Sequence, residues 1–224
     1  MFLSVRGMYN NSRDVREMKP LAGLSVLDVG CGGGIFSESI ARMGADVTGI
    51  DAALECVSAA QAHLRSYGAR DPFANRLRYT CATAEAILAE RGEACFDVVV
   101  SIEVVEHVAD VEAFMSTLCA LLRPGGVLVM STMNRTPAAF ALAVFAAERL
   151  MGWLPQGTHD WNKFLTPREM AMLWNRGGVT MIETAGMQPD LRAMRSLAEP
   201  PCEWTLTDRL TINYIAAGTK GTGE

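Results

Sequence analysis

The sequence lacks several features that would each have indicated a particular class of protein. No apolar run reaches the ~18 residues that a membrane-spanning helix requires. Basic residues are not in excess, since 20 Lys and Arg stand against 25 Asp and Glu, so we expect no sequence-independent binding of nucleic acid. The six cysteines form no Cys-x-x-Cys pair, which favours free thiols in a reducing compartment over disulfides.

What is present is typical of a globular protein, because 224 residues, half of them hydrophobic, can bury a sizeable core. Apolar segments alternate with helical patterns over residues 24–131, which predicts five strand–helix units. The predicted strands are Leu24–Val29, Asp46–Ile50, Leu77–Thr80, Phe96–Ile102 and Val127–Ser131. Two more strands, Val179–Thr184 and Leu210–Ala217, close the chain. We predict one α/β domain over residues 1–224, with a doubly wound, mostly parallel, Rossmann-like sheet of seven strands.

The most informative stretch is Leu24–Gly34, where the first predicted strand runs into a glycine-rich loop followed by a helix. Its spacing is not the Gly-x-Gly-x-x-Gly of dinucleotide-binding loops. Instead Asp28 precedes a ladder of Gly30, Gly32 and Gly34. A carboxylate there would repel a pyrophosphate and attract a ligand that carries a cation or an amino group. The alternative is a glycine-rich turn with no ligand.

Other candidate ligand contacts follow the next strands, because an open α/β sheet binds ligands at the carboxyl ends of its strands. Asp51 follows the second strand and can accept both hydroxyls of a ribose, or it can cap the next helix. Thr83 and Ala84 follow the third strand and are placed to border a flat base.

Three potential metal ligands follow the fourth strand. Glu103, Glu106 and His107 fall within about one turn, and two carboxylates with an imidazole suit a hard divalent ion. Such an ion could chelate a catechol and lower the pKa of its hydroxyl. The alternative is that Glu106 and His107 form a structural turn without metal.

These motifs resemble class I S-adenosylmethionine-dependent methyltransferases over about residues 24–131. The resemblance rests on Asp28 with the glycines that follow it, on Asp51 and on the turn Arg123-Pro124-Gly125-Gly126. The cofactor that it implies has a sulfonium, an amino acid and a ribose but no phosphate, which agrees with the ligand expected beside Asp28.

Further segments are similar to the ubiquinone-biosynthesis O-methyltransferase family, over about residues 13–187. They are Thr132-x-Asn134-Arg135, Ala147-Glu148, Pro155-x-Gly157-Thr158-His159 and Lys163-Phe164. The family implies methyl transfer to a phenolic hydroxyl of a polyprenylated catechol or hydroquinol. It also implies cofactor contacts at Gly30, Asp51 and Ile102, and a divalent ion such as Mg²⁺ at Glu103, Glu106 and His107.

An apolar lid is predicted within residues 132–165. Its helix, Pro137–Trp153, is apolar on almost every side, so it either faces lipid or belongs to the core. With ~17 residues it is too short to span a bilayer comfortably, which favours an interfacial position over a transmembrane one. His159 follows it and could accept a phenolic proton or only anchor the loop. We expect a peripheral protein of the matrix face of the mitochondrial inner membrane or of the bacterial inner membrane, associated with a ubiquinone-biosynthesis complex.

The beginning of the chain departs from that family. The family places a cofactor-contacting arginine on a helix upstream of the first strand, and neither Arg6 nor Arg13 is a secure equivalent. Residues 188–209 also lack its tyrosine-containing pattern. Three alternatives therefore stay open: a catalytically impaired assembly subunit, a methyltransferase of another small molecule, and an NAD-dependent oxidoreductase, the last disfavoured by the missing third glycine.

Overall fold

Eight strands form one sheet in the order β3-β2-β1-β4-β5-β8-β6-β7. The computed structural model describes residues 19–67, 71, 73–141, 161–189 and 204–223. The strands are β1 Ser25–Val29, β2 Asp46–Asp51, β3 Leu77–Cys81, β4 Phe96–Ile102, β5 Leu122–Met133, β6 Val179–Pro189, β7 Trp204–Thr207 and β8 Asn213–Lys220. Strands β1 to β5 pair in parallel, whereas β8 pairs antiparallel with both β5 and β6, and β7 pairs antiparallel with β6.

Helices follow the strands as the alternation predicts. They are α1 Ile35–Arg42, α2 Leu54–Tyr67, α3 Ala84–Arg91, α4 Val111–Leu121 and α5 Pro167–Arg176. Successive strand residues point to opposite faces, and both faces are apolar: Leu27 belongs to one core cluster and Val26 to the other. The predicted doubly wound α/β architecture is therefore confirmed.

The sheet has one strand more than predicted. β6 continues to Pro189, and its last residues, Gly186 to Pro189, pair with β7. Trp204 and Leu206 in β7 are more than half exposed, so this edge strand has no buried face to give it an alternating pattern. Its pairing with β6 comes from backbone hydrogen bonds.

The predicted turn at Arg123–Gly126 lies inside the bounds of β5. Phe96 pairs with Leu122, whereas Val98 pairs with Val127, so the four residues between Leu122 and Val127 bulge out of register. The break in regular structure at these residues was therefore predicted correctly, but β5 begins before the turn and not after it.

Helix α5 begins with a capped first turn. The Thr166 hydroxyl accepts from the Glu169 backbone N–H at 3.3 Å, and the Glu169 carboxylate accepts from the Thr166 N–H at 2.9 Å. This reciprocal capping box satisfies two backbone donors at the helix start. Trp174 on this helix is fully buried, as expected for a structural residue.

The predicted apolar helix Pro137–Trp153 is described only at its beginning. Residues Pro137–Ala139 are helical, with Thr136 accepting from the Ala139 N–H at 3.0 Å. Residues 142–160, and with them His159, lie outside the described residues. Within the described ranges, no helix combines the length and hydropathy needed to cross a membrane.

Candidate active site

The carboxyl ends of β1, β2 and β4 meet at one edge of the sheet, where most of the predicted ligand contacts lie. The backbone register places Asp28 beside Gly49 of β2 and Val100 of β4. At the loop that follows, the N–H groups of Gly30 and Cys31 donate to the Ile50 carbonyl at 2.8 and 2.9 Å. The glycine loop is thus fastened to the end of β2.

Gly30 is required by the close approach of another loop. Its φ is +76°, and a Cβ at this position would collide with the Val104 side chain, which follows β4. An L-residue here would be strained by its backbone conformation and would also displace Val104. The packing of the loop against the end of β4 therefore needs glycine.

Asp51 ties the glycine loop to the start of α2. One carboxylate oxygen accepts from the Gly32 N–H at 2.9 Å, and the other accepts from the Ala53 N–H at 2.9 Å. Asp51 thus holds the segment just before α2, which begins at Leu54, and does not cap the helix itself. The carboxylate remains half-buried at the strand end, and its binding of a ribose stays a prediction.

Asp28 lies beneath the loop rather than on its surface. Only 2% of the residue is exposed, and its carboxylate accepts from the Ser37 hydroxyl at 2.5 Å. Burial raises the pKa of Asp28 to about 6, with the Ser37 hydrogen bond opposing the rise and the Asp51 charge adding to it. If Asp28 acts on a ligand, it acts as a buried charge.

The next two predicted contacts differ in their exposure. Thr83 is exposed and caps α3 through the Ala86 N–H at 3.3 Å. Ala84 is 2% exposed and packs in the core beside Ile87. Ile102, at the end of β4, is half-buried. Thr83 is therefore the accessible member of the pair that was expected to border a base.

Glu103 and Glu106 lie beside the end of β5. The Ser131 hydroxyl donates to Glu103 at 2.6 Å, and the Thr132 hydroxyl donates to Glu106 at 2.9 Å. Burial, and secondly the neighbouring Glu106 charge, raises the pKa of Glu103 to about 7. Two carboxylates share a confined space here, so a cation or a proton is needed to relieve their repulsion.

The predicted metal site of Glu103, Glu106 and His107 is not formed as a three-residue set. Among the described residues, no group of three or more His, Cys, Asp or Glu side chains is arranged to hold a metal ion. Glu103 has a positive φ of 55°, and Val105–His107 forms a 3-10 turn. This backbone buries Glu106 and exposes His107.

The segment after β5 is held by contacts that the sequence did not reveal. The side-chain amide of Asn134 donates to the Leu210 carbonyl at 2.5 Å, and Arg135 forms an ion pair with Glu169 of α5. The Trp161 indole donates to the Thr136 carbonyl at 3.3 Å. These contacts hold the start of the predicted lid against α5 and against the segment that precedes β8.

Four functional candidates were missed at the sequence level: Ser37, Tyr79, Ser131 and Thr132. Ser131 and Thr132 belong to a segment that was noticed, but their contacts with the glutamates depend on the pairing of β4 with β5. Ser37 and Tyr79 belong to ordinary helix and strand patterns, and nothing in the spacing distinguishes them.

Comparison with known proteins gives consistent matches. A family model described as "Methyltransferase domain" matches residues 9–184. The ubiquinone biosynthesis O-methyltransferase of Paramagnetospirillum magneticum is 46% identical over 209 residues, which cover 93% of this chain and 77% of that protein. The mitochondrial ubiquinone biosynthesis O-methyltransferase of Arabidopsis thaliana is 44% identical, and the match covers 93% of this chain but 61% of that protein. The chain thus spans less than two thirds of the plant relative.

Solved structures share the architecture. Magnesium protoporphyrin IX methyltransferase from Synechocystis PCC 6803 with bound S-adenosylhomocysteine has a TM-score of 0.61 and 19% identity, covering 98% of this chain and 94% of that one. A putative S-adenosylmethionine-dependent methyltransferase from Listeria monocytogenes has a TM-score of 0.58 and 17% identity, covering 92% and 95%. At these identities the likeness concerns the fold.

Proposed function

Because this chain belongs to the ubiquinone biosynthesis O-methyltransferase family, we propose that it transfers a methyl group from S-adenosylmethionine to a phenolic oxygen. The acceptor would be a polyprenylated catechol or hydroquinol intermediate of ubiquinone biosynthesis. The observation that carries the proposal is the glycine loop with the buried carboxylate of Asp28 beneath it, because this negative charge would repel a phosphate group.

The residues at this edge fit the proposed cofactor. Asp28 supplies a buried negative charge for a ligand that carries a sulfonium and an amino group. Asp51 has carboxylate oxygens at the sheet edge that can accept hydrogen bonds from the ribose hydroxyls. Gly30 and Gly32 bring the backbone close, and Thr83 and Ile102 border the same edge. S-adenosylmethionine supplies an electrophilic methyl group when bound, so the protein mainly has to align the two reactants and exclude water.

We propose that Glu103 and Glu106 are the residues that would hold Mg²⁺ at this site. Two carboxylates with hydroxyl neighbours fit an oxygen-preferring ion, and its charge would relieve the repulsion that raises the pKa of Glu103. His107 is left out of this donor set because it is exposed. When bound, the ion would lower the pKa of the acceptor hydroxyl. His159 remains the proposed proton acceptor.

We also propose that residues 132–165 form a lid that contacts the membrane surface, with residues 137–153 as its apolar part. At the described start of this segment, Phe140 is 47% exposed and lies edge-to-face with Trp161, their ring centroids 6.3 Å apart. Aromatic rings at an interface suit a lipid surface. The corresponding location is the matrix face of the mitochondrial inner membrane or the bacterial inner membrane, with a ubiquinone-biosynthesis complex as the partner.

The membrane proposal predicts that the protein co-floats with phospholipid vesicles and that Phe140→Asp reduces the bound fraction several-fold. The aspartate of this variant would place a charge in the lipid, where a charge is energetically costly, so the segment should bind the vesicles less. Met172→Asp is the matched control, since Met172 is exposed to a similar extent (48%) on α5. Equal loss of binding in both variants, or no binding of the unchanged protein, would contradict the proposal.

The enzymatic proposal predicts that a short-chain demethylated quinol, incubated with the protein and S-adenosylmethionine, gains the mass of one CH₂ group, because the methyl group replaces the phenolic proton. The products would be identified by mass spectrometry, with and without Mg²⁺. Transfer to unrelated small molecules alone would favour a different methyltransferase activity. Cofactor binding without transfer to any acceptor would favour a non-catalytic assembly subunit, and NAD binding would favour the oxidoreductase alternative.

A further inference from the structure

A buried polar cluster lies directly under the glycine loop. The Ser37 hydroxyl, in the first turn of α1, donates to Asp28 at 2.5 Å. The Tyr79 hydroxyl, from β3, donates to the Gly34 carbonyl at 3.0 Å. Two hydroxyls therefore hold the loop from below: Ser37 binds the carboxylate that precedes it, and Tyr79 binds its last residue.

Two glycines make room for this cluster. A Cβ at Gly34, whose φ is +87°, would collide with the Tyr79 hydroxyl. A Cβ at Gly49 would lie 2.7 Å from the Tyr79 ring and 3.0 Å from the Ser37 hydroxyl oxygen. The Tyr79 ring is thus enclosed between the loop and β2, and its position determines the position of the Gly34 carbonyl.

The carboxylate in this cluster has no countercharge in the described part of the chain. No described ion pair involves Asp28, and the charge that acts on it comes from Asp51, which is also negative. Other titratable groups around it are Cys31 in the loop, Tyr79 on β3 and Glu38 on α1, which pairs with His63 of α2 at 2.8 Å. A buried carboxylate next to further acids favours a cation as its ligand.

We propose that Ser37 is a positioning residue that holds Asp28 as the buried countercharge of the cofactor's cationic portion, while Tyr79 fixes the loop at Gly34. This inference rests on the proposed function, because it assumes that S-adenosylmethionine is the ligand. Its consequence is that the cofactor binds more tightly when Asp28 is ionised, so binding at low pH releases a proton.

The direction of the pH effect on cofactor affinity follows from the protonation of Asp28 in the free protein. Asp28 has a pKa of about 6, so it becomes protonated below that pH and must lose the proton before it can act as a countercharge. Affinity for S-adenosylmethionine should therefore fall by about tenfold between pH 7.5 and pH 5. Adenosine, which shares the base and ribose but carries no cation, should show no such dependence.

The test is calorimetric titration of the full chain with S-adenosylmethionine across this pH range, comparing Ser37→Ala with the unchanged protein. Because the Ser37 hydrogen bond lowers the pKa of Asp28, its removal should move the midpoint of the pH dependence upward by about one unit. A purely structural role would weaken binding without moving the midpoint. Ser39→Ala is the matched control, since Ser39 lies on the exposed side of the same helix and donates to its own turn.

Two more variants separate the remaining contributions. His63→Gln should leave the midpoint of the pH dependence unchanged, because the proposal attributes that midpoint to Asp28 and not to the ion pair between His63 and Glu38. Tyr79→Phe should weaken binding at all pH values, whereas Tyr67→Phe, which removes an exposed hydroxyl on α2, should not. An unmoved midpoint in Ser37→Ala, or a moved midpoint in His63→Gln, would overturn the inference while leaving the proposed function intact. Failure of the unchanged protein to bind S-adenosylmethionine at any pH would overturn the proposed function itself.

Discussion

Replacement of Asp51 by alanine should reduce the affinity for S-adenosylmethionine by about 100-fold or more. Each hydrogen bond to a charged group contributes about 1.5–3 kcal/mol, and two ribose hydroxyls would lose their acceptors together. The variant also loses the contacts from Gly32 and Ala53, which hold the loop and the start of α2. Calorimetric titration of the folded variant, with its fold checked by circular dichroism, measures the effect.

Asp46→Ala is the matched control for this prediction. Asp46 begins the same strand at its opposite end, its side chain is 64% exposed, and it pairs with Arg76 at 3.2 Å. A surface pair of this kind contributes about 0–1 kcal/mol to stability, so the control should bind the cofactor normally. Tight binding by a folded Asp51→Ala variant would show that the cofactor does not use this strand end.

The double substitution of Glu103 and Glu106 by glutamine should lower methyl transfer by about 100-fold or more, because a metal clamp on the acceptor contributes several kcal/mol. Glutamine keeps acceptor oxygens for Ser131 and Thr132, so the fold should be maintained. It also removes the repulsion between the two carboxylates, so the unfolding temperature should not fall. Initial rates and thermal unfolding are measured on the same preparation.

Glu112→Gln provides the comparison, since Glu112 is an exposed glutamate on α4 paired with Arg176. Its variant should retain the activity of the unchanged protein. Titration with Mg²⁺ should release heat with the unchanged protein and with Glu112→Gln but not with the double variant. Undiminished activity of the double variant, together with insensitivity to a chelator, would exclude a role for both the carboxylates and the metal.

Local patterns were sufficient for much of the fold. The alternation of strands and helices and the glycine-rich loop after β1 depend on residues close together in the chain, and the structure has both. The family resemblance, which rested on motifs at several separated places, is confirmed by relatives whose matches cover 93% of this chain. These features were predictable because backbone conformation and periodicity are encoded over a few residues.

The predicted three-residue metal set shows where local spacing is insufficient. Residues 103, 106 and 107 would share a side only if the backbone formed a regular turn, but the positive φ at Glu103 and the following 3-10 turn change their directions. The edge strand β7 was missed for a related reason. Its residues are exposed, so backbone pairing with β6 defines it and hydrophobic alternation does not.

The sequence by itself determined that the loop after β1 favours a ligand without phosphate, because the order of acid and glycines is a local property. It also determined which acids stand at the strand ends. Only the tertiary structure decided how those acids are used. Asp28 is buried under the loop, where Ser37 donates to it and Tyr79 donates to Gly34, and the two glutamates after β4 accept from hydroxyls of β5. Such contacts join residues that are distant in sequence, so they depend on strand order and register, which single-residue patterns do not encode.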